Sequence, residues 1–196
     1  MEEKKEKTIE LARKYFHTDG YRKLSLSNLI EEVGMSKPTF YNYFKNKKHL
    51  FIQTMLETYN EFIYQLTQNF KKATSAIEKL DVFIQTYAWF LDEFPIYRDL
   101  YKPGNDLMPR WLDSRYSRDI FFEGREIIRS ILGDGIEEGL IDSTLDTEKS
   151  SILIYSTIIF TLSNNPNYFK REKDKDFDFN LNDLTQILAE GILTRN

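Results

Sequence analysis

Residues 25–44 constrain the fold most, because they carry the start and stop signals of two short helices joined by a tight turn. Ser25 and Ser36 each precede a helical pattern and can act as N-caps, since a serine hydroxyl accepts from the unpaired N–H groups of a first turn. Gly34 ends the first pattern and is the residue type that enters a left-handed conformation at least cost. Two helices joined by a turn of about three or four residues predict a helix-turn-helix.

The second of these helices is predicted to present polar and aromatic side chains to a partner. Pro38 is tolerated near its start, where an N–H has no intrahelical partner. Phe40 and Phe44 are one turn apart and are expected to face the core. The remaining side chains can then reach the phosphates and base edges of DNA, and they are Lys37, Thr39, Tyr41, Asn42 and Tyr43.

An ordinary αα-hairpin is the alternative, in which Tyr41 and Tyr43 are surface aromatics and the lysines form a solvated face. The turn alone leaves both interpretations open. Charge favours DNA binding: residues 1–50 hold eleven Lys and Arg against seven Asp and Glu, a formal charge of +4, so the remainder carries −8. No acidic residue occurs between Val33 and Leu56, whereas four lysines do. Such lysines provide sequence-independent affinity for phosphates.

The flanking sequence extends the pattern in both directions. Upstream lie an Ala-x-x-x-Phe helix around residues 9–16 and the turn Asp-Gly-Tyr at residues 19–21. The run Glu-Val-Gly-Met-Ser-Lys-Pro-Thr-Phe-Tyr-Asn-Tyr-Phe follows at residues 32–44, and then Lys-Asn-Lys-Lys-His-Leu-Phe at residues 45–51. As a linked set, these motifs make the first fifty or so residues resemble the TetR family of bacterial one-component transcriptional regulators.

The resemblance implies a two-domain, all-α organisation. Residues 1–50 would form a three-helix helix-turn-helix domain that binds double-stranded DNA, and residues 51–196 a helical bundle for ligand binding and dimerisation. Ser25 and Lys47 would hold phosphates. The complete set of candidate DNA-binding residues is Ser25, Ser27, Lys37, Pro38, Thr39, Tyr41, Asn42, Tyr43 and Lys47.

Beyond residue 50 the pattern stays helical and β signals are few. Helices are predicted near residues 47–72, 76–94, 95–102, 109–139, 147–164 and 180–194, with a charged connector at 170–178. The helix at 147–164 is apolar nearly all round, so it must be buried on more than one side.

In the TetR family the last two long helices form a four-helix bundle with those of a second subunit. The candidate dimerisation residues are therefore Ile152, Ile159, Leu184, Leu188 and Gly191. The core of a monomer is the alternative role for these side chains. A homodimer could insert two recognition helices into successive major grooves about 34–36 Å apart, so its operator should be an inverted repeat.

Aromatic residues are concentrated between about residues 80 and 122, as in the walls of a small-molecule pocket. The candidate ligand-binding residues are Phe83, Tyr87, Phe90, Trp111, Phe121 and Tyr155. A packed core explains aromatic residues at helical spacing equally well. In the family, an effector in such a cavity changes the orientation of the DNA-binding domains. The long helix that begins at Lys47 is the expected transmission element, and the loop at residues 103–109 the expected gate.

Several classes of protein are excluded or disfavoured. No stretch approaches the roughly 20 apolar residues that span a bilayer, and no apolar core of a signal peptide follows the charged N-terminus, so no membrane association and a cytoplasmic location are expected. The absence of cysteine excludes disulfides and thiolate metal sites. The only histidines are His17 and His49, and phosphate-loop and dinucleotide motifs are missing, so neither an enzyme nor a metal or other cofactor is predicted.

Two functions remain open on these residues. The first is a ligand-responsive repressor that a small, largely apolar effector releases from its operator. The second is a structural DNA-binding dimer that recruits a protein partner and has no small effector. A cavity among the mid-chain aromatics would favour the first, and a packed core with an exposed apolar patch the second.

Overall fold

The computed structural model describes residues 2–101, 104, 106–164 and 181–192, and the predicted all-α class is confirmed. The helices are, in chain order, α1 (Glu2–Thr18), α2 (Gly20–Lys23), α3 (Leu26–Val33), α4 (Lys37–Tyr43), α5 (Lys47–Phe70), α6 (Ala76–Glu93), α7 (Pro95–Asp99), α8 (Leu107–Leu112), α9 (Arg115–Glu137), α10 (Thr147–Asn164) and α11 (Leu181–Glu190). The one-turn helix α2 was not predicted.

The chain divides into two compact units. The first, here called the head unit, consists of Met1–Glu61 and Phe94–Arg118. The second, here called the bundle unit, consists of Phe62–Glu93 and Asp119–Asn196. The head unit therefore contains α7 and α8, although these helices are remote in sequence from α1 to α4.

The core of the head unit is aromatic and is built on α1, α4 and the start of α5. The Phe16 and Phe51 rings meet edge to face with centroids 5.1 Å apart. Segment 94–118 joins this core through α7, where the Tyr97 hydroxyl donates to the Met55 carbonyl at 2.9 Å. Its largest fully buried side chains include Phe16, Leu29, Phe40, Phe44, Leu50, Phe51 and Met55.

Helix α6 is the central element of the bundle unit, and polar contacts fix its neighbours. Lys79 pairs with Asp134 of α9 at 2.6 Å. The Thr185 hydroxyl of α11 donates to the Asp81 carboxylate at 2.8 Å. These contacts determine which face of α6 meets each partner, while its apolar residues fill the core, including Leu80, Phe83, Ile84, Phe90 and Leu91.

The prediction of a single helix at 109–139 is wrong, because the chain breaks between α8 and α9. Asp113 ends α8, and the Ser114 hydroxyl accepts from the Ser117 N–H at 3.3 Å. A serine side chain that caps a new helix competes with continuation of the preceding one. Helix α7 is also shorter than the predicted 95–102, and the connector at 170–178 lies outside the described residues.

The predicted caps and turn of the helix-turn-helix are confirmed. The Ser25 hydroxyl accepts from the Asn28 N–H at 3.4 Å, and that of Ser36 from the Thr39 N–H at 3.3 Å. Gly34 is left-handed, with φ of 66°. Its N–H donates to the Glu31 carbonyl at 2.9 Å, and the Met35 N–H to the Ile30 carbonyl at 3.0 Å. This pair of hydrogen bonds is the Schellman motif that ends helices at glycine.

Gly34→Ala is expected to lower the stability of the head unit by about 1 kcal/mol, because a Cβ is disfavoured at positive φ. No atom lies within 4 Å of the added Cβ, so the cost is one of backbone conformation alone. The matched control is Gly133→Ala within α9, which also has open space around its Cβ but no positive φ. That change should stabilise the helix by up to about 1 kcal/mol. Thermal unfolding of both variants measures the difference, and midpoints that shift in the same direction would contradict the expectation.

Candidate functional site

Helix α4 is anchored by one face and leaves the opposite face in solvent. Phe40 and Phe44 are fully buried, and their ring centroids are 5.3 Å apart. Tyr41 is 49% exposed although Phe40 next to it is fully buried. The anchored face therefore fixes the direction in which the other face points, and that face is accessible to a partner.

Six of the nine predicted DNA-binding residues are exposed in the helix-turn-helix. Thr39 and Tyr43 are half-buried, and the Thr39 hydroxyl is 2.8 Å from that of Ser36. The exposed members of the set are Ser25, Ser27, Lys37, Pro38, Tyr41 and Asn42. All of these except Pro38 have a side-chain donor or acceptor of the kind that reads base edges and phosphates.

Lys47 is half-buried and donates hydrogen bonds to the segment before α3. Its ammonium donates to the Leu24 carbonyl at 2.6 Å and to the Arg22 carbonyl at 3.1 Å. It also lies 5.0 Å from the centre of the Tyr21 ring. Partial burial, with a smaller effect of the nearby Arg110 charge, lowers the pKa of Lys47. An ammonium has three N–H donors, so one is left for the phosphate contact that the sequence predicts.

Lys47→Met is therefore expected to destabilise the head unit by about 1–2 kcal/mol, since it leaves two backbone carbonyls without their charged donor. Lys48→Met is the matched control, because the Lys48 side chain is 45% exposed and its ion pair with Asp113 is at the surface. Exposed pairs contribute little to stability. Chemical unfolding of both variants measures the difference. Equal losses would show that the carbonyl contacts of Lys47 do not hold the fold.

Helix α1 braces the turn through contacts that sequence reasoning missed. The Lys4 ammonium donates to the Gly34 carbonyl at 2.7 Å, thirty residues along the chain. The Tyr15 hydroxyl is hydrogen-bonded to the Glu32 carboxylate, and this bond raises the pKa of Tyr15. A local sequence pattern carries no signal for such pairings, because they depend on how α1 packs against α3.

Five of the six predicted ligand-binding residues form an aromatic cluster with Phe62 in the bundle unit. The Phe62 ring lies 5.1 Å from that of Phe90, 5.7 Å from Tyr87 and 6.0 Å from Phe83. Tyr155 is 6.2 Å from Phe83 and 5.2 Å from Phe121. The aromatic cluster, as the term is used below, consists of Phe62, Phe83, Tyr87, Phe90, Phe121 and Tyr155.

The cluster is buried at its centre and open at one end. Phe83 and Phe90 are fully buried, whereas Phe121 is 46% exposed. The Tyr155 ring packs so closely on α9 that a Cβ at Gly124 would lie 2.4 Å from it. Trp111 belongs to the head unit, where its ring is 6.4 Å from that of Tyr97. Phe62 was missed because α5 lies outside the stretch that is rich in aromatics.

The predicted dimerisation residues divide into buried and exposed groups. Ile159 and Leu184 are buried within the bundle unit, and Leu188 is half-buried. Ile152 and Gly191 are exposed. Apolar side chains that the prediction did not select are more exposed still: Leu153 and Phe160 at 68% and Ile187 at 59%.

The helix-turn-helix matches a known protein family, and the whole chain resembles a known regulator. Residues 9–54, which span α3, the turn and α4, match the family profile described as bacterial regulatory proteins, tetR family. This segment is a TetR-family helix-turn-helix domain. It is 26% identical to the fatty acid metabolism regulator protein of Bacillus subtilis over 188 residues, which cover 94% of this chain and 93% of the relative. The domain and the relative both support a DNA-binding transcriptional regulator and not an enzyme.

Solved structures share the fold over nearly the whole chain. FadR from Bacillus subtilis in complex with stearoyl-CoA has a TM-score of 0.72 at 24% identity, covering 95% of this chain and 98% of that one. A regulator from Saccharomonospora viridis in complex with choline has a TM-score of 0.71 at 15% identity and full coverage of both chains. One fold thus holds an acyl thioester in one protein and a small cation in another, so ligand class depends on side chains.

Two further observations apply to the described residues of this chain. None of their helices is long and apolar enough to cross a membrane. They also contain no group of three or more His, Cys, Asp or Glu side chains that could hold a metal ion.

Proposed function

We propose that this regulator is a repressor that binds an inverted-repeat operator as a homodimer and is released by a small, largely apolar effector. Residues 1–50 would bind DNA in the cytoplasm, and residues 51–196 would bind the effector and form the dimer. The single observation that carries the proposal is the anchored helix α4, which presents Lys37, Tyr41 and Asn42 to solvent beside a turn fixed by hydrogen bonds.

The exposed face of α10 supports the homodimer. Leu153, Thr157, Phe160 and Asn164 follow one another at helical spacing and are exposed, although α10 buries its opposite face. Two large apolar side chains at 68% exposure cost free energy in water. A second copy of the same face would cover them, because a twofold interface uses the same patch on both subunits.

The aromatic cluster supports an apolar effector. Its rings offer a largely apolar environment with the hydroxyls of Tyr87 and Tyr155 as polar groups, and Phe121 gives it an exposed edge. The stearoyl-CoA in the Bacillus subtilis structure makes a long acyl thioester the first effector to test. Release of DNA requires that the effector bind the DNA-incompetent conformation more tightly than the competent one.

The test measures operator binding in the presence of three compounds. A duplex obtained by in vitro selection is titrated with the protein alone and then with stearoyl-CoA, free coenzyme A or choline. Stearoyl-CoA is expected to lower the operator affinity by about 5- to 150-fold, the usual range of allosteric coupling. Coenzyme A controls for the head group, and choline for a ligand class seen on the same fold.

The partner-recruiting dimer remains a second candidate, because the aromatic rings at the centre of the bundle unit are in direct contact and α10 has exposed apolar residues. It predicts an operator affinity that no apolar compound changes. Unchanged binding with stearoyl-CoA and with a panel of other acyl and aromatic compounds would contradict the effector proposal and favour this candidate.

A further inference from the structure

Two aspartates that flank α8 form ion pairs with cations of α2 and α5 in the head unit. The Arg22 Nε lies 3.1 Å from the Asp106 carboxylate. The Lys48 ammonium pairs with the Asp113 carboxylate, and this contact holds the pKa of Asp113 below its ordinary value. Asp106 precedes α8 and Asp113 ends it, so one short helix provides both carboxylates.

Arg110, in the middle of α8, attaches this helix to the rest of the head unit. The Arg110 guanidinium lies 3.9 Å above the Tyr21 ring and 3.6 Å from the Asp106 carboxylate. Tyr21 in turn stacks on Phe16 with centroids 5.9 Å apart and meets Phe51 edge to face at 5.7 Å. A cation over an aromatic ring is attracted to its face, so Arg110 fixes α8 to the aromatic core of the head.

The two paired cations belong to segments that adjoin the predicted DNA-binding helices α3 and α4. The Lys47 ammonium donates to the Arg22 carbonyl, which joins the start of α5 to α2. Arg22 is three residues before the cap of α3, and Lys48 follows the end of α4 by five residues. Their side chains are 82% and 45% exposed. They are thus near the elements that carry the base-reading residues and remain accessible to a large anion.

We infer that Arg22 and Lys48 are additional phosphate-binding residues, and that Asp106 and Asp113 form ion pairs with these two side chains when DNA is absent. This inference rests on the proposed docking of α4 and adds contacts that the predicted set does not contain. Carboxylate and phosphate oxygens use the same arginine and lysine donors. Exposed ion pairs are weak, whereas DNA presents a dense row of phosphates. The duplex can therefore displace both carboxylates. Because the carboxylates compete with phosphates for the two cations, they lower the affinity of the protein for DNA.

The experiment uses the full chain and a fluorescein-labelled duplex of arbitrary sequence and about 30 base pairs, so that phosphate contacts dominate the affinity. Asp106→Asn with Asp113→Asn is expected to tighten binding about 2- to 10-fold, since each exposed pair that competes is weak. The matched control is Asp134→Asn with Asp146→Asn. These carboxylates of the bundle unit pair with Lys79 and Lys149, and their replacement changes the net charge equally.

Arg22→Gln with Lys48→Gln completes a double-mutant cycle. This variant should bind more weakly, and the slope of log affinity against log salt should fall by about one for each phosphate that the protein no longer binds. Adding the two Asp→Asn changes to it should have no further effect, because their target cations are gone. Thermal unfolding of each variant checks that these exposed substitutions leave the fold intact.

The outcomes separate the inference from the proposed function. If the unaltered chain binds no duplex, both fail. If it binds but the control pair tightens binding equally, or the Asp→Asn effect persists without Arg22 and Lys48, general electrostatics explains the result and the inference alone is overturned. An unchanged salt slope in the Arg22→Gln, Lys48→Gln variant also overturns it.

Discussion

Replacing Lys37, Tyr41 and Asn42 together by alanine is expected to abolish operator-specific binding, with an affinity reduction of at least about 100-fold. Each good contact to a base edge is worth about 1–3 kcal/mol, so the removal of two or three such contacts has this size. The fold should survive, because Phe40 and Phe44 carry the packing of α4 and the three replaced side chains are exposed. Fluorescence anisotropy with the selected operator and with a scrambled duplex measures the change.

Tyr64→Ala provides the matched control for this experiment. Tyr64 is 62% exposed on α5 and lies outside the helix-turn-helix, so its removal deletes an exposed tyrosine without touching the proposed interface. Operator affinity should stay within about twofold, and the unfolding midpoint should be unchanged, as for most surface substitutions. Retention of full operator affinity by the triple variant would refute the proposed docking of α4. A loss confined to the scrambled duplex would do so as well.

The helix-turn-helix could be predicted because its determinants are local. Ser25, Gly34 and Ser36 act on N–H and carbonyl groups within five residues of themselves, and the burial of Phe40 and Phe44 follows from their spacing. Such interactions are the same in any protein that contains the segment. The sequence therefore determined both helices, the turn and the exposed face of α4.

What the sequence could not provide depends on contacts between distant segments. The apolar pattern around residues 109–139 gives no sign that Ser114 would start a new helix. Lys47 has the position of a phosphate ligand, yet the carbonyls of Arg22 and Leu24 take two of its three donors. The placement of α7 and α8 in the head unit likewise cannot be predicted from the spacing of apolar residues. It arises from contacts between distant residues, such as those of Tyr97 with Met55 and of Arg110 with Tyr21.

The second large effect concerns oligomeric state. Leu153→Glu with Phe160→Glu is expected to convert a dimer, at twice 23.4 kDa, into a monomer of 23.4 kDa. In the proposed twofold interface each substitution occurs twice, so four carboxylates would be buried without partners. Each such charge costs several kcal/mol, more than most interfaces can offset. Sedimentation analysis measures the mass, and both side chains are 68% exposed in the single chain, so its fold should persist.

Disruption of the dimer should also weaken operator binding. A monomer reaches one half-site, whereas two joined recognition helices enter successive major grooves and bind as one ligand. An affinity reduction of at least about 100-fold for the full operator is therefore expected, with little change for an isolated half-site. The control is Tyr64→Glu with Leu140→Glu, which places the same charges at exposed apolar residues outside α10 and outside the head unit. A double variant that stays dimeric would exclude this face of α10 as the interface. A monomeric variant with full operator affinity would show that the half-sites are bound independently.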